Sequence, residues 1–383
     1  MNLNPVGWAS RVLMPLLRII RTSPNATVPV VVIYEPVTSE TSAIVNADIA
    51  LVAKGTGATL AQVPTGTAAG GDKRGTYATD LQKSRGLAAQ VASGQYATIA
   101  GGALNSATGN YGFAGGGNGQ SASGTYAAAC GGDSNTASSN YSFVGGGQGN
   151  TAQTNTHATV CGGNGNVASG MYSFIGGGIN NAASNTATAI AGGSGNGANA
   201  QYSFVGGGLD NFATGDFSFV SAGRRGIARG ITGYHVFPAC SIPIAAGAGV
   251  TQSALLLLGR QTTDATATVL TSNSSAAGTT NQVMPPNNAA YSFSGEVIAG
   301  VTGGGDTARW TINGAIKRGA NAASTAMVGT PTVTMTHNDA GAAAWVVTVT
   351  ADTTNGGIKV EVTGAAATTI RWVCKINTTE MTY

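Results

Sequence analysis

Tyr141-Ser142-Phe143-Val144-Gly145-Gly146-Gly147 is one copy of a head that recurs, with looser relatives, nine times through the middle of the chain. The heads begin at Tyr96, Tyr111, Tyr126, Tyr141, His157, Tyr172, Ala187, Tyr202 and Phe217, every step being 15 residues except the 16 from Tyr141 to His157. A second landmark follows nine residues after each of the first eight heads, at Asn105, Gln120, Asn135, Asn150, Asn166, Asn181, Asn196 and Asn211. Alanine stands two positions later, from Ala107 to Ala213. Self-similarity at a fixed period marks a solenoid whose repeats stack on their neighbours.

Fifteen residues are too few for a helix pair, and the glycine triplets oppose helices. Two short strands and two tight turns fit instead. Tyr141 to Val144 is strand-forming, the triplet turns the chain without φ penalty, and Asn150-Thr151-Ala152 supplies the second strand. Each repeat is thus predicted as one coil of a parallel β-solenoid, and nine coils at about 4.8 Å make a shaft of roughly 40 Å. The extra residue before His157 is expected in a small loop. Heads with Phe and heads with Thr alternate, which predicts two side-chain layers on one coil type. A core of Ala, Ser, Thr and Gly buries little apolar area. The recurring tyrosines, phenylalanines and valines therefore need a partner surface, which a homotrimer around a threefold axis would provide.

Stretches such as Gly131-Gly132-Asp133-Ser134-Asn135-Thr136-Ala137-Ser138 resemble the head repeats of trimeric autotransporter adhesins, which form left-handed parallel β-rolls. The likeness to tail-fibre proteins of tailed bacteriophages and prophages is stronger. It is carried by Ala53 to Ala69, Lys73 to Gln82, Gln261 to Thr268 and Ala351 to Gly357, in that order along the chain. This resemblance implies docking to other virion proteins through the N-terminus and a distal C-terminal domain facing the host. The first 40 residues lie outside it.

Composition narrows the class. At 383 residues two or three units are expected, and only 9% of residues are charged, against about 25% in ordinary soluble domains. The 59 glycines have no Gly-X-Y period, which excludes collagen. A net charge of +3, with no basic cluster among aromatics, gives no support for nucleic-acid binding. Cys130 and Cys161 share one slot two coils apart, roughly 10 Å and too far for a bridge. Cys374 shares a strand face with Ile370, Trp372 and Ile376, so the cysteines read as reduced, with Cys240 ambiguous. Trp8 to Ile20 is broken by Arg11, Pro15 and Arg18, too short to span a bilayer and unlike a secretory signal. No membrane insertion is expected, and the predicted location is a virion assembled in the host cytoplasm and released by lysis.

Four pieces are expected: a virion-docking segment at 1–44, an irregular region at 45–95 leading into the roll, the roll at 96–231, and a C-terminal antiparallel β-sandwich cap at 232–383. The Trp8–Ile20 stretch would be an amphipathic helix that docks to the virion or merely starts the trimer. Alternation in Ile358-Lys359-Val360-Glu361-Val362 and around Trp372 marks cap strands. Trp310, Trp345 and Trp372 are expected in its core rather than as sugar platforms. Arg224, Arg225 and Arg229 crowd the roll's exit; they could grip an anionic polymer, but pairing with Asp210, Asp216 or a neighbouring chain is the favoured reading. His235 is read as structural.

Glycoside hydrolysis needs two carboxylates about 5–9 Å apart. The roll at 96–231 offers only Asp133, Asp210 and Asp216 as acids, with no aromatic groove evident beside them. The histidines, at 157, 235 and 337, lack metal-ligand spacing, and no glycine run opens a phosphate loop. The sequence reading is therefore a non-enzymatic, all-β, trimeric fibre of a tailed phage without metal, cofactor or catalytic residues. It would attach to host surface polysaccharide or protein through the cap, by avidity over several copies. Receptor-binding residues are expected on cap loops that sequence does not single out. The alternatives are a head or collar fibre without a receptor and, third, a polysaccharide depolymerase in which Asp210 and Asp216 pair.

Overall fold

Two residues of each head form a strand, and the rest of the coil is turn. In the computed structural model, which describes residues 57–241, 243–244 and 247–383, the chain is all-β apart from two short 3-10 turns. A parallel β-solenoid of about 11 turns leads into a C-terminal antiparallel sheet. The expected docking segment at 1–44 lies outside the described residues.

Phe143–Val144 pairs in parallel with Ala128–Ala129 below and Thr159–Val160 above, and the same register runs through every head. A second ladder of eight strands, from Ser106–Ala107 to Phe212–Ala213, forms another side of the coil. Single bridges through Ala103, Asn118, Asp133, Gln148 and Asn164 form a third column. The extra residue lies in the Gln153–Thr156 turn, and Thr151 still pairs with Val167.

The first head residue takes the left-handed conformation: φ is 58° at Tyr141, 63° at His157 and 52° at Ala187. For a non-glycine residue this costs on the order of 1 kcal/mol or more. Stacking of each ring on the next, with centroids 4.7 Å apart for Tyr111 and Tyr126, returns a comparable amount. Gly147 is required where it stands: at φ 88°, a Cβ there would lie 2.0 Å from Gly163 O and 2.6 Å from Asn150 Nδ2.

Strand alternation decides what faces inward. Val144, Val160, Ile175, Ile190, Val205 and Val220 are fully buried inside the coil, opposite the alanine column. The valines therefore do not belong to an outer stripe, as sequence suggested; only Tyr and Phe rings do. Phe113, Phe143 and Phe174 point out, separated by Ala128 and Thr159 along the same ladder.

The landmark asparagines also point inward. Asn166 Oδ1 accepts the backbone N–H of Asn181 at 3.0 Å, while its Nδ2 donates to Gly162 O and Gly178 O at 2.9 and 2.8 Å. Repeated coil by coil, these bonds satisfy turn carbonyls that would otherwise be buried unpaired. Gln120 interrupts the series, and its Oε1 is buried without a partner.

Coils begin earlier than the regular repeat. Thr59–Leu60 and Thr79–Asp80, both inside the stretch read as irregular, pair with each other, and Thr79–Asp80 pairs on with Thr98–Ile99 of the roll. Gln82 starts the asparagine ladder by accepting the Asn105 N–H at 2.9 Å. Beside it, buried Asp80 accepts from Arg74 Nε at 2.8 Å and Arg85 Nη2 at 3.1 Å, a polar plug beneath the first coils.

The ladder continues into the cap without a break. Phe219 pairs with His235 in parallel, and His235 pairs with Leu255 antiparallel. The Thr251–Thr262 strand pairs with Ile370–Thr382, then come Ala289–Val301, Thr307–Arg318 and Thr332–Asn338. A three-stranded sheet of Thr268–Val269, Val346–Asp352 and Gly357–Thr363 packs against it. Trp372 lies between Trp310 and Trp345 at 5.6 and 5.7 Å, and all three are buried. All four cysteines are free, and burial pushes the Cys374 thiol up to about 12.

Candidate functional site

Two surfaces carry chemistry that a shaft and cap would not need for folding alone, and a buried cluster joins the shaft to the cap. The first is the ladder of head rings. Tyr77, Tyr96, Tyr111, Tyr126, Tyr141, His157 and Tyr172 stack in one uninterrupted column, nearly parallel up to His157 and with Tyr172 tilted by 27°. The left-handed turn puts each ring at a corner of the coil with its edge in solvent. Tyr202 and Phe217 resume the column at 4.9 Å after Ala187 leaves it without a ring.

The second is a shallow cleft of about 560 Å³ on the cap, lined by Ile298, Thr307, Arg309, Thr336, His337 and Asp339. Pairing of Thr307–Arg318 with Thr332–Asn338 brings two carboxylates to one end of the ladder. Asp339 Oδ2 accepts the Thr307 N–H at 2.9 Å, and Asp306 Oδ1 accepts the Gly341 N–H at 3.3 Å. Each acid thus binds the other's loop. A Cβ at Gly341 would sit 2.0 Å from Asp306 Oδ2, so the carboxylate would have to move aside to admit one. The Gly303–Asp306 loop was legible as a loop; the partnership with Asp339 was not, because only non-local pairing creates it.

The buried cluster lies where roll meets cap. Glu380 accepts from the Tyr234 hydroxyl, from Thr378 Oγ1 at 2.9 Å, from Gln252 Nε2 at 2.7 Å and from Arg229 Nε at 3.4 Å. Burial, then the neighbouring Glu380 charge, pushes the Tyr234 hydroxyl pKa far up. This network is buried and joins elements rather than facing solvent.

The acids singled out in the roll are not assembled into a site. Asp210 pairs with Arg225 at 3.6 Å, and Asp216 Oδ1 accepts the Gln201 N–H at 3.0 Å from the other end of the Phe212–Ala213 strand. Half-buried Asp133 accepts from Asn118, Gln148 and Ser134, and these bonds hold its carboxyl below the usual range. Of the three arginines, Arg225 and Arg229 are ion-paired. His235 tilts against Phe219 at 5.6 Å. Among the described residues no three His, Cys, Asp or Glu side chains gather to hold a metal, and no helix is long and apolar enough to cross a membrane.

No protein-family model matches the chain, and no curated protein does. Solved structures that are similar include the tailspike protein of Acinetobacter baumannii phage AM24, at 9% identity and a TM-score of 0.21 over 80% of this chain. The chain spans 55% of the length of that tailspike. Tailspike gp49 of Acinetobacter baumannii bacteriophage Fri1, described as a capsular polysaccharide depolymerase, is 7% identical with a TM-score of 0.20 over 79% of this chain and 67% of its own. The tailspike of Acinetobacter phage vB_ApiP_P1 is 11% identical with a TM-score of 0.19, over 80% and 66%. The sequence reading of a non-enzyme is corrected at this point. One of the similar proteins is a depolymerase, and the exclusion had weighed only acids of the roll, without the carboxylates that the cap brings together.

Proposed function

We propose that the chain is a spike or fibre of a tailed-phage virion, a homotrimer that attaches the particle to host surface polysaccharide. The observation that carries this reading is the single sheet running from the first coil into the cap. It makes a stiff shaft of roughly 50 Å for about 11 turns, with a compact domain rigidly at one end. Support for the trimer comes from the outer face of that sheet. The Phe113, Phe143 and Phe174 row continues through Phe219 and His235 to exposed Leu257, Val373 and Ile298 on the cap. An apolar face of this length is unusual on a monomer. The likeness of the repeats to tail fibres and trimeric adhesin heads, read from sequence, points the same way.

Docking through 1–44 and contact with the host through the cap belong to the same proposal, as does the division at 95 and 231. The test is competition: purified full-length protein should bind host cells saturably and block adsorption of the phage. Failure to compete, from protein shown to be folded, would remove the attachment role. Native mass spectrometry reads the trimer directly, and a monomer mass would overturn it.

A second reading, cleavage of the same polysaccharide, is favoured by Asp339, which lines the cap cleft, with the Asp306 carboxylate on the adjoining loop. Paired carboxylates are what glycoside hydrolysis requires. Purified protein spotted on host lawns would then produce halos, and Asp339→Asn would abolish them while leaving cell binding intact. Halos unchanged by that variant would clear the pair of catalysis.

A further inference from the structure

The column of stacked head rings has one vacancy. Ala187 occupies the ring position between Tyr172 and Tyr202 at the same left-handed turn, φ 52° against 58° and 56°. The coil has not slipped to close the gap: Ala187 N donates to Met171 O at 2.7 Å, and Tyr202 N donates to Thr186 O at 3.0 Å. Tyr172 and Tyr202 are therefore two coil steps apart, roughly 10 Å by the strand spacing. Within the column each inner ring has both faces covered by its two neighbours. At the vacancy one face of Tyr172 and one of Tyr202 look at each other across open space. Their exposures, 56% and 52%, exceed the 43% to 51% of the stacked tyrosines from Tyr77 to Tyr141.

We infer that this vacancy is a saccharide slot that takes one pyranose ring between Tyr172 and Tyr202, over the Ala187 methyl group. The inference rests on the proposed attachment to polysaccharide and adds a binding position on the shaft, apart from the cap. Two spacings like those within the column, 4.7 to 5.2 Å, fill the gap with a single ring. The slot lies at a corner of the coil, so a chain of sugars can enter at one flank and leave at the other. Beside it run Met171, Thr186 and Gln201, and the Thr186 hydroxyl and Gln201 amide can meet sugar hydroxyls at the rim.

A two-sided slot also selects configuration. Both faces of the sugar must be apolar, which holds when every ring substituent is equatorial and the axial positions carry only C–H. A galacto-configured ring has an axial hydroxyl at C4, which would be pressed unpaired against a tyrosine face. The slot therefore favours gluco-configured residues.

The experiment is saturation-transfer NMR on the full-length protein with methyl β-D-glucopyranoside and methyl β-D-galactopyranoside as probes. Saturating the tyrosine rings should reach protons on both faces of the glucoside, with a several-fold weaker response from the galactoside. Ala187→Tyr supplies the ring that neighbouring coils already carry, so it preserves the fold while filling the slot, and it should abolish the response. No transfer in the unaltered protein, or transfer unchanged in Ala187→Tyr, overturns the proposal. So does a changed oligomeric state in Ala187→Tyr with transfer retained, which would make the vacancy a contact between chains. Competition with phage adsorption is read in parallel. Loss of competition with transfer intact sinks attachment and spares the slot, and the reverse result does the opposite.

Discussion

Asn150 Oδ1 accepts the backbone N–H of Asn166 at 3.0 Å, across the one step between heads that is 16 residues long. Asn150 Nδ2 donates to Gly146 O and Gly163 O as its neighbours do with theirs. The extra residue is absorbed entirely in the Gln153–Thr156 turn. The reason is energetic: a solvated turn accommodates an added residue at little cost, whereas a buried amide left unpaired costs about 1–3 kcal/mol.

That asymmetry makes the interior ladder testable in both directions. Asn166→Ala strips partners from Gly162 O, Gly178 O and the Asn181 N–H together. It should destabilise the roll by at least about 2 kcal/mol and open the adjoining coils locally, as solenoid energetics are nearest-neighbour. Gln120→Asn should instead stabilise by about 1 kcal/mol, because it replaces a buried unpaired Oε1 with the group used in the other coils. Denaturant midpoints and amide exchange measure both.

Legibility in the sequence followed regularity. Fifteen-residue spacing exposed the roll from Tyr96 onward, but Thr59, Thr79 and Thr98 pair at steps of 20 and 19. A period search passes over them, although Tyr77-Ala78-Thr79 repeats Tyr96-Ala97-Thr98 letter for letter. The assignment of Val144 to an outer stripe ignored strand alternation, which sends Phe143 out and Val144 in. Asparagine at a fixed slot reads as turn punctuation, and only the closed coil shows that its amide is inside. Asp306 and Asp339 were beyond reach, since they meet through the pairing of strands joined by a long connection. The vacancy at Ala187 was visible as a substitution, but its meaning needed the rings to be stacked.

Buried Asp80 bridges two arginines that are themselves buried, with Gln82 above it at the foot of the asparagine ladder. Burial lowers the Arg74 pKa, opposed by the Asp80 charge and its hydrogen bond. Removing the carboxylate leaves two guanidinium groups close together without a counter-charge. Asp80→Ala is expected to lose about 3–5 kcal/mol in the first coils. Amide exchange should rise from Thr59 to Ile99 while the cap keeps its protection. Uniform loss across the chain would show that the plug stabilises more than its own end.

At the other end, Glu380 ties the last cap strand to Arg229 and Tyr234 of the final coils. Glu380→Ala would leave Arg229 and the Tyr234 hydroxyl short of an acceptor in a buried junction, at about 3–5 kcal/mol. Roll and cap share one sheet, so in the unaltered protein they should melt together. In Glu380→Ala the calorimetric transition should split or broaden as the coupling weakens. A single transition merely shifted to lower temperature would mean that backbone pairing through Phe219 and His235 suffices on its own.

Alkaline sensitivity follows from the buried acids of the cap. The Cys374 thiol is pushed by burial from 9.0 to about 12, and burial raises the Tyr234 and Tyr291 hydroxyls as well. Each folded-state pKa lies above its unfolded value, so the native protein holds protons that the unfolded chain releases. Stability contributed this way is complete below the unfolded pKa and declines as pH rises. For Cys374 the decline runs from pH 9 to about 12, with a slope of about 1.4 kcal/mol per pH unit per group. Cys374→Ala should remove one group's share of the slope in urea midpoints taken between pH 9 and 11, at a modest packing cost seen equally at pH 7. In the native state a thiol reagent at pH 8 should label exposed Cys161 and Cys240 and leave Cys374 untouched until unfolding. Labelling of Cys374 in native protein at that pH would place its thiol outside the Trp372 core and sink the prediction.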